Sequence, residues 1–325
     1  MSNNENMKGL YIVVGENCQL RCPFCFNRFD ENFNNKVLEL QDIPKLIDMI
    51  YEFGPSSVTL IGGEPLLPRY IDKVTTLVQE YYYDKRYKPI SWCISSNLYY
   101  KKLSHEQIYL LYLLQALSTD SIAIGSSYSV DRFSNNNNKD YFNIWKNNML
   151  RLDSLGIRVG VTLTLTTEQI NYSPTNTFNI LKSVKAKSIN VERELFPKDT
   201  DEKKLIQHYK LSDLYMKQLF EIIPQNMNKQ WDRFADAIKF KIPVFNNHCS
   251  QYISTIYPEE DGYKMRKGCV INQVGVDPQL WVEKVSKYKC IECKYYQYCK
   301  GDCECNRFAC AFPKQTIDYM KKVLS

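Results

Sequence analysis

The 325-residue sequence has no long apolar run and no secretion signal at its N-terminus. A helix that crosses a membrane needs at least about 18 consecutive apolar residues, and no uninterrupted stretch of that length occurs. The first residues, MSNNEN, are polar and lead directly into an apolar segment, so they do not resemble a signal peptide. These absences exclude the membrane-embedded and secreted classes of protein. We expect a cytoplasmic chain with no membrane partner.

Internal repeats of the solenoid type and low-complexity segments are also lacking. The composition, 44% hydrophobic and 24% charged residues, is typical of a globular chain, and residues 1–8 are expected to form a disordered tail. A strong charge imbalance is absent as well, because 42 basic and 36 acidic residues leave a net charge of only +6. Lysines are interspersed with acids on predicted helix surfaces, so we expect solvated faces and no nucleic-acid partner.

Histidine is scarce, whereas cysteine is abundant. The three histidines, at positions 105, 208 and 248, lie apart on predicted surfaces, and none has the spacing of a zinc finger. Twelve cysteines in a chain without a secretion signal argue against a disulfide framework. Three of them fall within eight residues near the N-terminus and eight lie after residue 248, which indicates two groups of reduced thiols that bind metal.

The first group is Cys18-x3-Cys22-x2-Cys25, which follows a short apolar run at residues 10–14 that predicts a buried strand. Thiolates this close in a loop favour a soft metal or an iron–sulfur cluster over a disulfide. Three ligands are one short of the four that normally saturate a four-iron cluster, so one iron would stay open to another ligand. About forty residues later, a Gly-Gly-Glu-Pro motif follows a second apolar run, at residues 58–61.

The two motifs together, in this order and each after a predicted strand, resemble the radical S-adenosylmethionine (SAM) enzymes; Phe24 has the place of the aromatic residue before the last cysteine. The resemblance implies that Cys18, Cys22 and Cys25 hold the [4Fe–4S] cluster that binds and cleaves SAM. It also implies that the backbone of the second motif binds the methionyl amine of SAM. The alternative is a structural zinc loop beside an unrelated turn. The second motif consists of Gly62, Gly63, Glu64 and Pro65.

Between residues 9 and 229, segments of strand and helix character alternate six times, which predicts a parallel sheet covered by helices. Six units do not close an eight-stranded barrel. The resemblance supplies the shape: an α/β fold with a partial (β/α)6 TIM-like barrel and its reactive centre at the C-terminal ends of the strands. The predicted strands are 10–14, 58–61, 89–95, 121–125, 158–166 and 188–195. The predicted helices are 40–53, 71–81, 104–117, 141–155, 175–184 and 211–223.

Residues at the ends of predicted strands are further candidates for binding SAM. Asn97 resembles the asparagine often found after the third strand in the family, although a turn explains it equally well. Ser126 and Ser127 end the predicted fourth strand, where a serine of the family contacts the carboxylate end of SAM. In the sixth strand, alternation places Glu192 and Glu194 on one face and Arg193 on the other. Carboxylates inside a barrel need a cationic partner such as the SAM ammonium, whereas an exposed edge strand needs none.

The alternating pattern ends near residue 230, and residues 230–325 are predicted to form a small cysteine-rich iron–sulfur domain. The CxxCxxxxxCxxxC spacing within it resembles the SPASM extension of radical SAM enzymes, which carries auxiliary four-iron clusters. A four-cysteine zinc ribbon is the alternative. The resemblance assigns one set of cysteines to an outer cluster and a second set to an inner cluster. The outer ligands are Cys290, Cys293, Cys299 and Cys310, and the inner ligands are Cys249, Cys269 and Cys303.

The sequence departs from the SPASM pattern at two points. Residues 250–268 contain no cysteine where the family usually has one, and the last two cysteines follow Cys303 almost at once. Cys305 therefore has no assigned role. Either two auxiliary clusters or a single one is compatible with this spacing.

The family resemblance implies that a reduced cluster cleaves SAM to methionine and a 5′-deoxyadenosyl radical, which abstracts a hydrogen atom from the substrate. An external donor of the flavodoxin or ferredoxin type would supply the electron. The leading hypothesis is an enzyme that crosslinks or oxidises a ribosomally synthesised peptide. No leader-binding domain fits before residue 18, so recognition of a leader is expected to need a separate leader-binding protein or a different surface of this chain. The alternatives are a radical SAM dehydrogenase acting on a small molecule or protein residue, and a non-catalytic iron–sulfur or zinc protein.

Overall fold

The computed structural model describes residues 8–25, 37–119, 122–134, 140–194, 196, 200–244, 253–259, 262–267, 286–299, 310 and 312–325. In this part of the chain, eight strands form one sheet in the order β6-β5-β4-β3-β2-β1-β7-β8. All neighbouring strands are parallel except β7 and β8, which are antiparallel. The strands are β1 (Gly9–Val13), β2 (Ser57–Ile61), β3 (Ser91–Ser95), β4 (Ile124–Tyr128), β5 (Val159–Leu165), β6 (Ser188–Arg193), β7 (Ile253–Glu259) and β8 (Gly262–Lys267).

Helices alternate with the first six strands, which confirms the predicted α/β class. Their ends follow local signals: Ser104 and Gln107 form the predicted capping box, and Gly54 adopts the left-handed conformation that ends the first helix. The α-helices are α1 (Ile43–Phe53), α2 (Pro68–Tyr83), α3 (His105–Leu117), α4 (Val130–Ser134), α5 (Tyr141–Ser154), α6 (Thr167–Ile170), α7 (Pro174–Ser183), α8 (Glu202–Ile222), α9 (Trp231–Phe240), α10 (Tyr296–Cys299) and α11 (Lys314–Leu324). None of the described helices is long and apolar enough to cross a membrane.

The two faces of the sheet differ in character. Leu10 and Ile12 of β1 pack in one large core with Leu46 and Ile50 of α1, so this face meets the helices. Among the described residues, the opposite face of the central strands carries a small apolar cluster around Val13. Along β4, β5 and β6, alternate positions on that opposite face are half-buried or exposed and mostly polar, which leaves a surface able to contact a polar ligand. These positions are Gly125, Ser127, Thr162, Thr164, Asn190 and Glu192.

The β7–β8 hairpin is an addition that the sequence did not reveal. It lies beyond the expected boundary near residue 230, yet β7 pairs in parallel with β1 over residues 253–256. The C-terminal part of the chain therefore extends the same sheet. In β8, buried Tyr263 and half-buried Met265 alternate with exposed Lys264 and Arg266, the two-residue period of a strand with one covered face.

The C-terminal helix α11 is fixed to the body of the protein by a carboxylate from another helix. Asp213 of α8 accepts hydrogen bonds from the backbone N–H groups of Gln315 (2.8 Å) and Thr316 (3.1 Å), and from the Thr316 hydroxyl (3.0 Å). The first N–H groups of a helix have no partner within the helix, so Asp213 caps α11 across about a hundred residues of sequence. This contact, together with buried Ile317 and Met320, fixes α11 against the helix layer.

Candidate active site at the carboxyl ends of the strands

Hydrogen bonds between two loops bring the cysteine motif against the Gly-Gly-Glu-Pro motif. Strands β1 and β2 are neighbours, and their pairing continues past the strand ends. The N–H of Gly63 donates to the carbonyl of Gly15 (2.8 Å), and the N–H of Glu64 donates to the carbonyl of Asn17 (2.9 Å). Asn17 directly precedes Cys18, so the two motifs of the sequence form one site at the carboxyl ends of the strands.

This contact leaves no space for a side chain on either glycine. A Cβ atom on Gly63 would lie 2.1 Å from the carbonyl oxygen of Asn17. A Cβ atom on Gly62 would lie 2.1 Å from the carbonyl oxygen of Gly15, and the φ angle of Gly62, +148°, is one that other residues rarely adopt. Both glycines are therefore required by the close approach of two backbones.

The buried side chain of Glu64 fixes the Gly-Gly-Glu-Pro loop in place. Its side chain is completely buried, and its carboxylate accepts hydrogen bonds from the backbone N–H of Leu66 (3.1 Å), the hydroxyl of Ser96 (2.7 Å) and the backbone N–H of Asn97 (2.6 Å). Burial raises the pKa of Glu64, although the three donors oppose that rise. The side chain thus connects the β2 loop to the end of β3, which leaves the backbone of the motif to face a ligand.

Asn97 is tied to the cysteine loop. Its amide nitrogen lies 3.5 Å from the sulfur of Cys18, and its amide oxygen accepts hydrogen bonds from the side chain of Gln19 (3.2 Å) and the backbone N–H of Tyr99 (2.7 Å). The end of β3 therefore supports the first cysteine directly, in addition to any contact with SAM.

The three cysteines fit the donor set of an iron–sulfur cluster. Cys22 is buried, Cys18 and Cys25 are half-buried, and none is in a disulfide. Burial raises the pKa of Cys18 to about 11, so its thiol holds its proton until a metal replaces it. Within the described residues, no three His, Cys, Asp or Glu side chains are grouped to hold one metal ion. In a four-iron cluster each cysteine binds a different iron, so its ligands are not gathered around a single point.

An open cleft beside the first cysteine has space for a small ligand. Its volume is about 440 Å³, within the range of small-molecule sites. Cys18 borders this cleft, as do Leu67, which follows the Gly-Gly-Glu-Pro motif, and the cationic Arg69. The complete lining comprises Asn17, Cys18, Gln19, Leu67, Pro68 and Arg69.

Arg132 is a site residue that sequence reasoning missed. It is 8% exposed, donates to the carbonyl of Ser127 (2.6 Å) and to its hydroxyl, and lies with its guanidinium 6.0 Å from the ring of Phe24. Burial alone would lower its pKa, but Tyr141, Cys22 and Cys18 raise it, and the result is a raised pKa. A fixed cation therefore lies beside the cysteines. Nothing local in the sequence marks it, since it lies in a short helix about a hundred residues downstream.

The two serines of β4 face opposite ways. Ser126 is buried on the helix side, where its hydroxyl accepts a hydrogen bond from the indole N–H of Trp145 (3.0 Å). Ser127 lies on the other face and contacts Arg132. Ser127 is therefore the serine that lies on the same face as the half-buried and exposed polar positions of β5 and β6.

The charged residues at the end of β6 also lie on different faces of the sheet. Glu192 is exposed on the open face, where it accepts a hydrogen bond from Asn190 (3.0 Å). Arg193 is on the opposite face, with its guanidinium 5.8 Å from the ring of Tyr209 of α8. Glu194 follows the strand and accepts a hydrogen bond from the backbone N–H of Thr167 (3.2 Å). The predicted alternation of Glu192 and Arg193 is confirmed, and their roles toward SAM remain predictions.

His208 was expected on the surface, and the structure shows it to be buried. Helix α8 begins nine residues before the predicted start, at Glu202, and His208 faces inward near the hydroxyl of Thr167 (3.5 Å). Burial, assisted by nearby Arg193, lowers the pKa of His208 to about 4. The ring is therefore neutral at physiological pH.

The raised pKa of Glu194 leads to a prediction of how the free energy of unfolding depends on pH. Burial raises its pKa from 4.5 to about 7, so the folded state binds the proton more tightly than the unfolded state. The free energy of unfolding therefore falls as pH rises from about 4.5 to about 7 and stays low above it. Glu194→Gln should stabilise the protein by on the order of 1 kcal/mol at pH 8 and by much less at pH 5, after allowance for solvent screening.

Thermal melting at both pH values tests this expectation. Glu192→Gln, the same substitution at an exposed neighbour, is the matched control and should show no such difference. An equal effect of Glu194→Gln at pH 5 and pH 8 would contradict the raised pKa.

Four of the C-terminal cysteines lie in the described residues. Cys299 is buried, and Cys293 and Cys310 pack against the same main core. Burial raises the pKa of Tyr288, its hydrogen bond to Glu202 raises it further, and the Cys310 and Cys290 thiols contribute smaller effects in the same direction. The assignment of these four cysteines to one outer cluster remains a prediction. The expected ligands Cys249, Cys269 and Cys303, together with Cys305, lie outside the described residues.

The sequence model of the Radical SAM superfamily matches residues 12–173, which include both loops and Arg132. The curated GTP 3′,8-cyclase of Helicobacter pylori is 23% identical over 235 residues, which cover 70% of this chain and 68% of that protein. The chain therefore contains a radical SAM domain, and this family implies a [4Fe–4S] cluster and SAM as cofactors.

Solved structures support the fold over nearly the whole chain. The structure of native anSMEcpe with bound AdoMet and Cp18Cys peptide is similar with a TM-score of 0.67 and 14% identity, covering 97% of this chain and 95% of that one. Streptococcus suis SuiB bound to S-adenosylmethionine has a TM-score of 0.51 and 15% identity, covering 93% of this chain and 74% of that one. At these identities the similarity concerns the fold.

Proposed function

We propose that this radical SAM protein cleaves SAM reductively at a cluster held by Cys18, Cys22 and Cys25 and uses the resulting 5′-deoxyadenosyl radical to abstract a hydrogen atom from a peptide. The observation that carries the proposal is the pair of backbone hydrogen bonds, from Gly63 and Glu64, that joins the cysteine loop to the glycine loop. When bound, the cluster would supply the electron that breaks the sulfonium bond. The residues around it perform the remaining functions.

These residues bind and orient SAM. The backbone of Gly62 and Gly63, kept free of side chains, would receive the methionyl amine, while buried Glu64 holds that loop rigid. The fixed cation of Arg132 would pair with the methionyl carboxylate, since an Arg–carboxylate contact is strong when partly shielded from water. Asn97 keeps Cys18 in place.

A peptide substrate is proposed because the fold matches, over 97% of this chain, that of a protein solved with AdoMet and a peptide. The half-buried and exposed polar positions on the open face of β5 and β6, among them Thr164, Asn190 and Glu192, offer groups that can hydrogen-bond a peptide backbone. A separate leader-binding protein and an external one-electron donor complete the proposal. The cysteines of residues 290–310 would hold one or two auxiliary clusters.

A dehydrogenase or another radical SAM reaction on a small molecule is the second candidate. It is favoured by the similarity to a GTP 3′,8-cyclase, whose name indicates a nucleotide substrate. The volume of the cleft beside Cys18 is also that of a small-molecule site.

The proposal is tested by anaerobic reconstitution with iron and sulfide, followed by addition of dithionite and SAM. Release of 5′-deoxyadenosine with about twelve irons per chain supports the SAM-cleaving cluster and two auxiliary clusters, and about eight irons supports one auxiliary cluster. Zinc in the C-terminal segment without 5′-deoxyadenosine would overturn the proposed enzymatic activity. Mass spectrometry of reactions with short peptides or with nucleotides then separates the two substrate classes, because only the true substrate changes mass.

A further inference from the structure

Positive charge is concentrated at the C-terminal end of the chain. The described residues within 286–325 contain six lysines against two acids, a side-chain net charge of +4, whereas the whole sequence has a net charge of +6. Charge this localised is not needed for solubility, and it produces a field that attracts an acidic partner.

Three of the lysines surround one buried aromatic ring. The ammonium groups of Lys294, Lys314 and Lys321 lie 4.7, 5.8 and 5.8 Å from the centroid of Tyr295. Lys321 is also 4.6 Å from the ring of Tyr298. We call these three lysines and the rings below them the C-terminal basic surface. Cation–π contacts hold the ammonium groups in place at a small energetic gain, without neutralising them.

The acids of this segment leave the surface positive. Asp318 accepts the hydroxyl hydrogen of Tyr295 and lies 3.8 Å from Lys294, a long contact whose partners are more than half exposed. Glu292 is exposed, and Lys287 is paired with Glu202. Lys314 and Lys321 form no salt bridge with any acid in the described part of the chain, and their ammonium groups lie against the rings of Tyr295 and Tyr298.

Thiols and an exposed apolar side chain adjoin this surface. Lys294 directly follows Cys293 in the chain, and between Cys290 and Cys293 lies Ile291, which is 72% exposed. A small apolar contact beside a charged patch is what a brief electron-transfer encounter requires, since such interfaces are small and are steered by charge.

We infer that the C-terminal basic surface is a docking site for an acidic one-electron carrier protein of the flavodoxin type, placed against the cysteines of residues 290–299. The inference rests on the proposed function, because it assigns a docking surface to the proposed electron-exchange partner.

Binding of purified oxidised flavodoxin to the full-length protein, measured by titration calorimetry at rising salt, tests the inference. The double variant K294E/K321E should raise the dissociation constant at least tenfold at low salt and flatten its salt dependence, because rim charges steer association. The milder K294Q/K321Q should lie between this variant and the wild type. The control K182E/K185E makes the same charge change on exposed lysines at the end of α7 and should alter binding less than about twofold.

The inference would be overturned if K294E/K321E and K182E/K185E weakened flavodoxin binding equally, or if binding did not depend on salt. It would also be overturned if K294E/K321E altered the iron content without altering flavodoxin binding. Release of 5′-deoxyadenosine with dithionite is scored separately. If SAM is cleaved but flavodoxin does not bind at this surface, the docking inference fails alone. If flavodoxin binds as expected and SAM is not cleaved, the proposed function fails and the docking surface stands.

Discussion

Replacing Cys22 by alanine is expected to reduce the release of 5′-deoxyadenosine at least a hundredfold and to remove about four irons per chain. Cys22 is the middle thiol of the loop, and a three-cysteine site that loses one ligand cannot retain its cluster. Because the side chain is small and 6% exposed, its loss should lower the free energy of unfolding of the metal-free protein by only about 1 kcal/mol. Iron content, absorbance near the cluster bands and product release together measure the effect.

Cys93 is the matched control for this experiment. It is a half-buried thiol on β3, outside both cysteine groups, and its neighbour across the sheet is Thr59. Cys93→Ala should keep the wild-type iron content and SAM cleavage. If Cys22→Ala also retained its iron, the assignment of the N-terminal loop to the cluster would be wrong. If both variants lost iron equally, the effect would reflect general damage to the fold.

The parts of this fold that were predictable from the sequence are those governed by local rules. Five of the six parallel strands lie close to their predicted bounds, whereas β4 (Ile124–Tyr128) begins three residues after the predicted start at residue 121. The start of α3 follows from a capping box that two residues, Ser104 and Gln107, define by themselves. The two site loops were also predictable, because each is a contiguous motif and the carboxyl ends of neighbouring parallel strands meet at one edge of the sheet.

The features that were missed depend on contacts between distant segments. Arg132 reaches the cysteines only because the sheet brings the end of β4 over the loop after β1, and Asp213 caps α11 from about a hundred residues away. The burial of His208 depends on the length of α8, which a short apolar pattern underestimates. Ser126 and Ser127 show the limit of motif transfer: one residue of register decides which serine faces the helices.

Gly63→Ala is expected to abolish SAM binding and to destabilise the fold. The added methyl group would lie 2.1 Å from the carbonyl oxygen of Asn17 and 2.4 Å from that of Glu16, so the two loops must separate. Separation breaks the hydrogen bonds donated by Gly63 and Glu64, each worth about 1 kcal/mol, and overpacking adds about 1–3 kcal/mol. The total of about 3–5 kcal/mol corresponds, for a chain of 325 residues, to a fall in melting temperature of roughly 4–7 °C.

Gly125→Ala provides the control, because a methyl group there meets only the carbonyl oxygen of Ile94 at 3.7 Å, an ordinary contact. Its melting temperature should stay close to that of the wild type. The assay for Gly63→Ala is run well below its melting temperature, with iron content and SAM affinity measured on the same sample. Retained iron with at least a hundredfold weaker SAM binding would show that the two motifs have different roles, because the cysteines hold the cluster and the glycine backbone binds SAM. An unchanged melting temperature would contradict the close approach of the two loops on which the site depends.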